Sequence, residues 1–359
     1  MRLPKLFNRS DRRVPGRTDD AAADLAKVDE LVAADRLVEA VDLLAEVNRR
    51  GRRPDLETRL VDLRARAAAS FDAGGGRPDW PPAYDDPFPD VSGTVPEVPA
   101  SRLTSEVLGG AVAHHGALIV RGVFSPEQVE RTVEAIERTH QRRAPESGST
   151  TTDTDGAAWF RPFPAKEGVK VETLRRMVAR QGGTFLADSP ASTAQILDEL
   201  EGVGVTQAIS GHLGERPFFS LQKSTLRWSL PEFRLVAWHQ DGSFLDEDVR
   251  TMNIWVALSA CGGDHPTPGL EVVPRRIEEI LPVDGVMSPH SISYDLVDEI
   301  AAETPTVVPE FAPGDAMIFD EHFLHRTHLL EQMDYIRYAL ECWFFAPSHR
   351  ATDYTPLLV

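Results

Sequence analysis

The sequence is poor in cysteine, in basic residues and in long apolar runs, and each shortage excludes a class of protein. Cys261 and Cys342 are the only cysteines in 359 residues, so reduced thiols fit better than a disulfide framework. Lys and Arg number 38 against 56 Asp and Glu, and the net charge of −18 disfavours nucleic acid as a partner, because phosphate binding needs a basic surface. No apolar run reaches the roughly 18 residues of a membrane span. The N-terminus lacks the apolar stretch of a signal peptide, and together these absences predict a cytoplasmic protein.

Composition divides the chain into four predicted segments. Residues 1–18 are basic and are expected to be disordered. Residues 19–71 carry Leu, Val and Ala at helical spacing, which predicts a helical hairpin or three-helix unit. Residues 72–100, with seven prolines and four glycines, are typical of a linker, and residues 101–359 are predicted to form one large domain. The helical unit could bind a protein partner or pack against the large domain, and the sequence leaves both open.

The large domain is predicted to begin with helices and to continue with short strands. Helices are predicted over 103–115 and 126–141, the second opened by a capping box of Ser125 and Gln128. The polar stretch 142–168 is a candidate substrate lid. Further elements are a strand over 117–123, helices over 170–180 and 190–202, and strands over 217–229, 233–241, 250–259, 269–274, 305–309, 315–320 and 335–346. Many short strands separated by Gly and Pro turns favour a sandwich or barrel.

His239-Gln240-Asp241 is the motif that carries most information about chemistry. It ends a predicted strand, on which residues two apart point to the same face. One imidazole and one carboxylate could therefore reach a single ion, and a second imidazole would come from His322, His325 or His328. Two histidines and one carboxylate on one face of a metal leave other positions open, which suits iron(II) or another divalent first-row metal. His265 lies in a Gly/Pro loop and is expected to be exposed.

Arg337 is an isolated charge near the start of an apolar and aromatic predicted strand, Tyr335 to Phe345. A buried guanidinium without an anion is costly, and its fork matches a carboxylate with two parallel hydrogen bonds. The sequence therefore predicts that Arg337 binds an anionic group.

These motifs together resemble the phytanoyl-CoA dioxygenase family, over about residues 103–347. The pattern consists of Gly314-Asp315, Phe319, His325, Thr327 and Arg337, preceded by His239-x-Asp241 and Trp255. The resemblance implies a fold that is mainly β with flanking helices (α+β), built on a double-stranded β-helix, the jelly-roll core also found in cupins. It implies that residues 101–359 are an iron(II)/2-oxoglutarate-dependent dioxygenase domain.

The same resemblance assigns roles to individual residues. His239, Asp241 and His325 would be the iron ligands and the catalytic centre. Arg337, helped by the Thr327 hydroxyl, would hold the distal carboxylate of 2-oxoglutarate, and Trp255 would line the co-substrate pocket. The implied reaction converts 2-oxoglutarate and O₂ to succinate and CO₂ while hydroxylating a small organic or acyl substrate. Desaturation and ring closure stay open, and the family's usual Pro-Gly-Ser-His is replaced here by Val273-Pro-Arg-Arg, which leaves a coenzyme-A thioester in doubt.

Lys223 is a further candidate for the cofactor-binding set. It lies on the strand predicted over 217–229, where Gln222 or Lys223 could contact 2-oxoglutarate or the substrate, or could face solvent. Two other readings of the chain remain at this point: a cupin-like metal enzyme that does not use 2-oxoglutarate, and a non-catalytic scaffold with a vestigial barrel.

Overall fold

The computed structural model describes residues 17–143, 154–164, 171–229, 237–245 and 247–359, with side chains from residue 21 onward. Within these ranges there are ten α-helices: α1 (Arg17–Ala33), α2 (Leu37–Arg50), α3 (Pro54–Ser70), α4 (Ser105–His115), α5 (Pro126–Arg143), α6 (Thr154–Trp159), α7 (Val171–Arg180), α8 (Pro190–Gly202), α9 (Val205–Leu213) and α10 (Tyr294–Glu303). None of these helices is long and apolar enough to cross a membrane.

The same ranges contain eleven β-strands. They are β1 (Glu97–Pro99), β2 (Ala117–Arg121), β3 (Gly183–Phe185), β4 (Phe218–Ser220), β5 (Thr225–Ser229), β6 (Thr251–Ala257), β7 (Gly269–Val272), β8 (Ala316–Phe319), β9 (His325–His328), β10 (Arg337–Phe345) and β11 (Pro356–Leu358). Nine of them form one sheet in the order β1-β2-β8-β6-β10-β4-β11, with β5 also paired to β10 and β3 paired to β5. The pair β7-β9 forms a second, antiparallel sheet.

Alternation along the strands of the large sheet separates two apolar faces. On β8, Ala316 and Ile318 belong to the large core that the helices cover, whereas Met317 and Phe319 belong to a different cluster. That second cluster also contains Leu270 and Val272 of β7, so the small sheet packs on the inner face of the large one. The two sheets with helices on the outer face make an α+β jelly-roll core, as predicted, and the interior between the sheets is where the candidate site lies.

The N-terminal helices α1, α2 and α3 pack against this core. Leu44 of α2 and Leu60 of α3 are buried in one cluster with Phe218 of β4 and Leu358 of β11. Arg64 of α3 donates a hydrogen bond of 2.6 Å to the carbonyl of Leu358. The helices therefore cover part of the large sheet, while the boundaries assigned at residues 71 and 100 remain predictions.

Several predicted elements differ in the structure. The strand predicted over 233–241 lies partly outside the described residues, and its described end is an isolated bridge at His239 followed by a 3-10 turn, Asp241–Phe244. Residues 217–229 form two short strands joined by a turn, and 305–309 contribute only an isolated bridge at Val307. Strand β9 was not predicted, because His-Arg-Thr-His has no apolar alternation. Most of the candidate lid lies outside the described residues; α6 is its described helix.

Candidate metal and co-substrate site

His239, Asp241 and His325 meet at the interior end of the small sheet. Each offers one ligand atom, and these atoms lie within 4.8 Å of one another. The two histidines are antiparallel bridge partners, with reciprocal backbone hydrogen bonds of 3.1 Å and ring centroids 4.4 Å apart. Gln240 between them has extended backbone (φ −109°, ψ 140°), and the 3-10 turn begins at Asp241. The two-residue spacing therefore puts the His239 and Asp241 side chains on the same side, which is the geometry expected from the sequence.

Each imidazole is oriented by the carbonyl two residues before it. The Nδ1 atoms of His239 and His325 each lie 3.0 Å from the carbonyl oxygens of Ala237 and Phe323. A carbonyl can only accept, so each Nδ1 carries the hydrogen and each Nε2 keeps its lone pair. Burial lowers the pKa of both histidines, that of His239 to about 4. Both rings are therefore neutral near pH 7, as metal ligands must be.

Asp241 is 3% exposed and is held by a neighbouring amide. Asn253 Nδ2 donates to Asp241 Oδ2 at 3.2 Å, and burial raises the pKa of Asp241 to about 6. Among the described residues this carboxylate forms no ion pair with a Lys or Arg. The nearest basic nitrogen is Nε2 of His239, 3.7 Å from Asp241 Oδ1. Sequence reasoning missed Asn253, although an amide inside the apolar strand Thr-Met-Asn-Ile-Trp-Val-Ala is an available signal.

The donor set fits an iron(II) ion. Two neutral imidazoles and one carboxylate, clustered on one side, are the set that non-haem iron oxygenases use. A buried carboxylate without a cation is unfavourable, and a bound divalent ion would compensate that charge. The residues present therefore suit the metal that the resemblance implies.

Arg337, the first residue of β10, is a buried cation without an anionic partner among the described residues. Arg337 is 7% exposed, and its guanidinium donates one long hydrogen bond, 3.3 Å, to the carbonyl of Gly269, while its Nε has no partner among the described residues. Burial lowers the pKa of Arg337. The nearby carboxylate of Glu341 is already occupied by Arg227, at 3.0 and 2.7 Å. A small dicarboxylate in the interior would supply the missing anion.

Trp255 lies beside this guanidinium, and Thr327 pairs with Leu270, the residue after the Gly269 whose carbonyl Arg337 bonds. The Trp255 ring centroid is 5.9 Å from the Arg337 guanidinium carbon, and Trp255 shares the inner face of β6 with Asn253. Thr327 also follows His325 by two residues on β9. The side chains of His325 and Thr327 therefore point to the same side of the strand. The Thr327 hydroxyl has no hydrogen-bond partner among the described residues and can donate to a ligand.

Lys223 is set apart from the Arg337 end of the site. It lies in the turn between β4 and β5, and its Nζ is 3.5 Å from the ring centroid of Phe244. It shares no recorded contact with Arg337, Trp255 or Thr327. Gln222 is buried and bonds the C-terminal segment, accepting from Thr355 N at 2.8 Å.

The other histidines considered from the sequence lie outside the triad. His322 is half-buried 3.7 Å from Glu321, and His328 is 3.6 Å from Glu271. His265 is exposed, as expected.

A jelly-roll core that gathers two histidines, a carboxylate and an unpaired arginine defines the class of non-haem iron oxygenases. The sequence model of the family described as phytanoyl-CoA dioxygenase matches residues 112–329. That match covers more than half of the chain, and the chain belongs to this family. It is an iron(II)- and 2-oxoglutarate-dependent dioxygenase, so the cupin-like enzyme without 2-oxoglutarate and the non-catalytic scaffold are both set aside. No curated protein matches the chain.

Several solved structures match the chain at low identity. EctD from S. alaskensis, with 2-oxoglutarate and 5-hydroxyectoine, is 17% identical with a TM-score of 0.45, covering 66% of this chain and 74% of EctD. AviO1 from Streptomyces viridochromogenes is 16% identical, TM-score 0.41, covering 65% and 91%. EvdO2 from Micromonospora carbonacea, complexed with 2-oxoglutarate, is 18% identical, TM-score 0.44, covering 68% and 89%.

Proposed function

We propose that this dioxygenase hydroxylates a small organic or acyl substrate, with His239, Asp241 and His325 holding the iron. Arg337 binds the distal carboxylate of 2-oxoglutarate, Thr327 donates to the same group and Trp255 closes the pocket beside it. The observation that carries this proposal is the buried guanidinium of Arg337, which has no anionic partner among the described residues.

The protein's own groups prepare the site before any substrate arrives. The carbonyls of Ala237 and Phe323 fix the imidazole tautomers, and Asn253 fixes the Asp241 carboxylate. Trp255 and the inner cluster exclude water around the Arg337 fork, which strengthens its pairing with a carboxylate. When bound, iron(II) and 2-oxoglutarate supply the oxidising chemistry from O₂, with succinate and CO₂ as by-products.

The proposal also includes the class of substrate, the cellular location and the protein partners. The net charge of −18 disfavours a nucleic acid substrate. We place the protein in the cytoplasm, on its two buried, free cysteines. One face of the N-terminal helices packs on the large sheet, and a protein partner would have to use the faces that remain.

Binding of 2-oxoglutarate without turnover tests the role of Arg337. Anaerobic iron(II) plus 2-oxoglutarate should give the weak visible absorption of the chelate in wild type, and His239→Ala should abolish it. Arg337→Ala should weaken 2-oxoglutarate binding by about 10- to 100-fold, because a charge-assisted pair is worth about 1.5–3 kcal/mol.

Two comparisons make this test specific. Arg337→Lys keeps the charge and should fall between wild type and Arg337→Ala, since a lysine cannot form the bidentate fork. Arg59→Ala, at a partly exposed position of α3 that pairs with Asp29, should match wild type. Unchanged 2-oxoglutarate affinity in Arg337→Ala, with iron loaded, would contradict the proposal.

A further inference from the structure

Lys223 carries a positive charge that no described residue neutralises. Its Nζ lies 3.5, 5.1 and 5.7 Å from the ring centroids of Phe244, Trp343 and Tyr354. It forms no hydrogen bond or ion pair with any residue in the described ranges. Cation–π contacts stabilise an ammonium but satisfy none of its three donors. The ammonium of Lys223 can therefore donate hydrogen bonds to an acceptor on a bound ligand.

The carboxylates near Lys223 accept hydrogen bonds from other residues. Glu341 accepts two hydrogen bonds from Arg227 and one of 3.0 Å from Thr225. Asp241 bonds Asn253 and belongs to the proposed iron triad. Burial lowers the pKa of Lys223 to about 8, so the ammonium form still predominates at pH 7.

Strand β10 relates the position of Lys223 to that of the proposed 2-oxoglutarate anchor. Arg337 is the first residue of that strand, and Trp343, six residues further on, points to the same face. Lys223 lies at the Trp343 end. The triad lies there too, because Asn253 pairs with Trp343 and bonds Asp241. Lys223 and the triad thus both lie toward the Trp343 end of β10, and Arg337 lies at the other end.

The rings around Lys223 form a continuous aromatic wall beside the triad. The Phe244 centroid is 6.3 Å from that of His239 and 6.0 Å from that of Trp343, and the Phe244 and Trp343 rings are stacked. His290 packs edge-on against Phe244 at 5.2 Å. A flat apolar body could lie against this wall while its charged end meets the ammonium.

We propose that Lys223 binds an anionic group of the primary substrate, and that this substrate is a small carboxylic acid with a flat apolar body. This inference rests on the proposed function, because it takes the Arg337 end of the interior as the 2-oxoglutarate site. Lys223 would act as a specificity-determining residue, and the sequence-based assignment of Lys223 to the cofactor-binding set would then be replaced.

Benzoate and its neutral isostere benzamide test the proposal on the anaerobic complex with iron(II) and 2-oxoglutarate. Calorimetry and tryptophan fluorescence should show benzoate binding about 10- to 100-fold more tightly than benzamide, since one charge-assisted hydrogen bond separates them. Lys223→Met should remove that preference, and Lys223→Arg should keep part of it. Lys27→Met, an exposed lysine of α1, should behave as wild type.

The controls separate this proposal from the function on which it rests. The chelate absorption should be unchanged in Lys223→Met, with a native far-UV circular dichroism spectrum. Failure of the proposed function would show as a missing chelate band in wild type, before any benzoate is added. Equal binding of the two probes, no benzoate binding up to about 20 mM, or a tenfold loss of 2-oxoglutarate affinity in Lys223→Met would each overturn the assignment.

Discussion

Asn253 shows how one residue beside the triad can control metal binding. Its amide is the sole hydrogen-bond donor recorded for the Asp241 side chain among the described residues. Groups that orient a metal ligand typically contribute about 10- to 100-fold in metal affinity. We expect Asn253→Ala to weaken iron(II) binding by about that factor, measured by competition with a chelator of known affinity. Asn48→Ala, equally buried but in α2, should leave iron binding unchanged; equal losses in both variants would contradict this role.

Glu321 should make stability depend on pH. Burial is the main cause that raises the pKa of this carboxyl from 4.5 to about 8, and the neighbouring Asp320 adds to it. A raised folded-state pKa favours the protonated form, so its stabilising contribution is complete below about pH 4.5 and is lost as the pH rises toward 8. We expect the free energy of unfolding to fall across that window in wild type.

Glu321→Gln provides the comparison for this effect. It stays neutral and can still accept the hydrogen bonds from Thr251 N and Oγ1, at 3.0 and 2.8 Å. Urea unfolding at a series of pH values should therefore show a flatter profile for the variant. Parallel profiles would show that the Glu321 carboxyl does not carry the dependence.

At the scale of residues, the sequence identifies a motif and an isolated charge. It does not identify residues whose role depends on tertiary contacts. His239, Asp241 and His325 form a recognisable set, and Arg337 stands out as a charge in an apolar strand. Asn253 and Glu321 gain their importance from tertiary contacts across many residues, which no spacing records. The surroundings of Lys223 could not be predicted either, because its three aromatic neighbours come from distant segments.

Among the elements, α5 is the one whose start is best explained by local chemistry. Ser125 N donates to Gln128 Oε1 at 2.8 Å, and Gln128 N donates to Ser125 Oγ at 3.3 Å, so the predicted capping box is confirmed. Removing such a cap costs about 0.5–2 kcal/mol. Ser125→Ala should lower the free energy of unfolding by about that amount in urea titration, while the exposed Ser101→Ala should not. A loss in both variants would count against the cap.

Several helices and the strands β2, β6, β7, β8 and β10 could be predicted to within a few residues, whereas α9, α10 and β9 could not. Caps and the 3.6-residue period are local, and they located α4, α5, α7 and α8. Strand assignment depends on partners distant in sequence. Strand β9 is polar yet pairs with β7, and His239, in the described end of its segment, pairs with His325 through an isolated bridge.

At the scale of the whole molecule, the helices α1–α3 and the jelly roll should unfold together. All six tryptophans lie at position 80 or later, so their fluorescence reports only on the remainder of the chain. Leu44→Ala removes a fully buried side chain from the helical cluster, at a cost of about 2–5 kcal/mol. We expect the denaturation midpoint to fall equally by tryptophan fluorescence and by far-UV circular dichroism.

Glu46→Ala, on the exposed side of α2, is the matched control and should change neither midpoint, because its surface ion pair with Arg50 contributes little. If Leu44→Ala shifts the circular dichroism transition and leaves the fluorescence transition in place, the helices unfold as an independent unit.

The hydrogen bond from Arg64 to Leu358 joins residues 294 positions apart, and this separation has a consequence during synthesis. At about 5–20 residues per second, Leu358 is made about 15–60 s after Arg64. During that interval the apolar faces of α2 and α3 lack β11, the strand that completes their burial. The nascent N-terminal helices therefore carry apolar surface that a chaperone could bind before synthesis is complete.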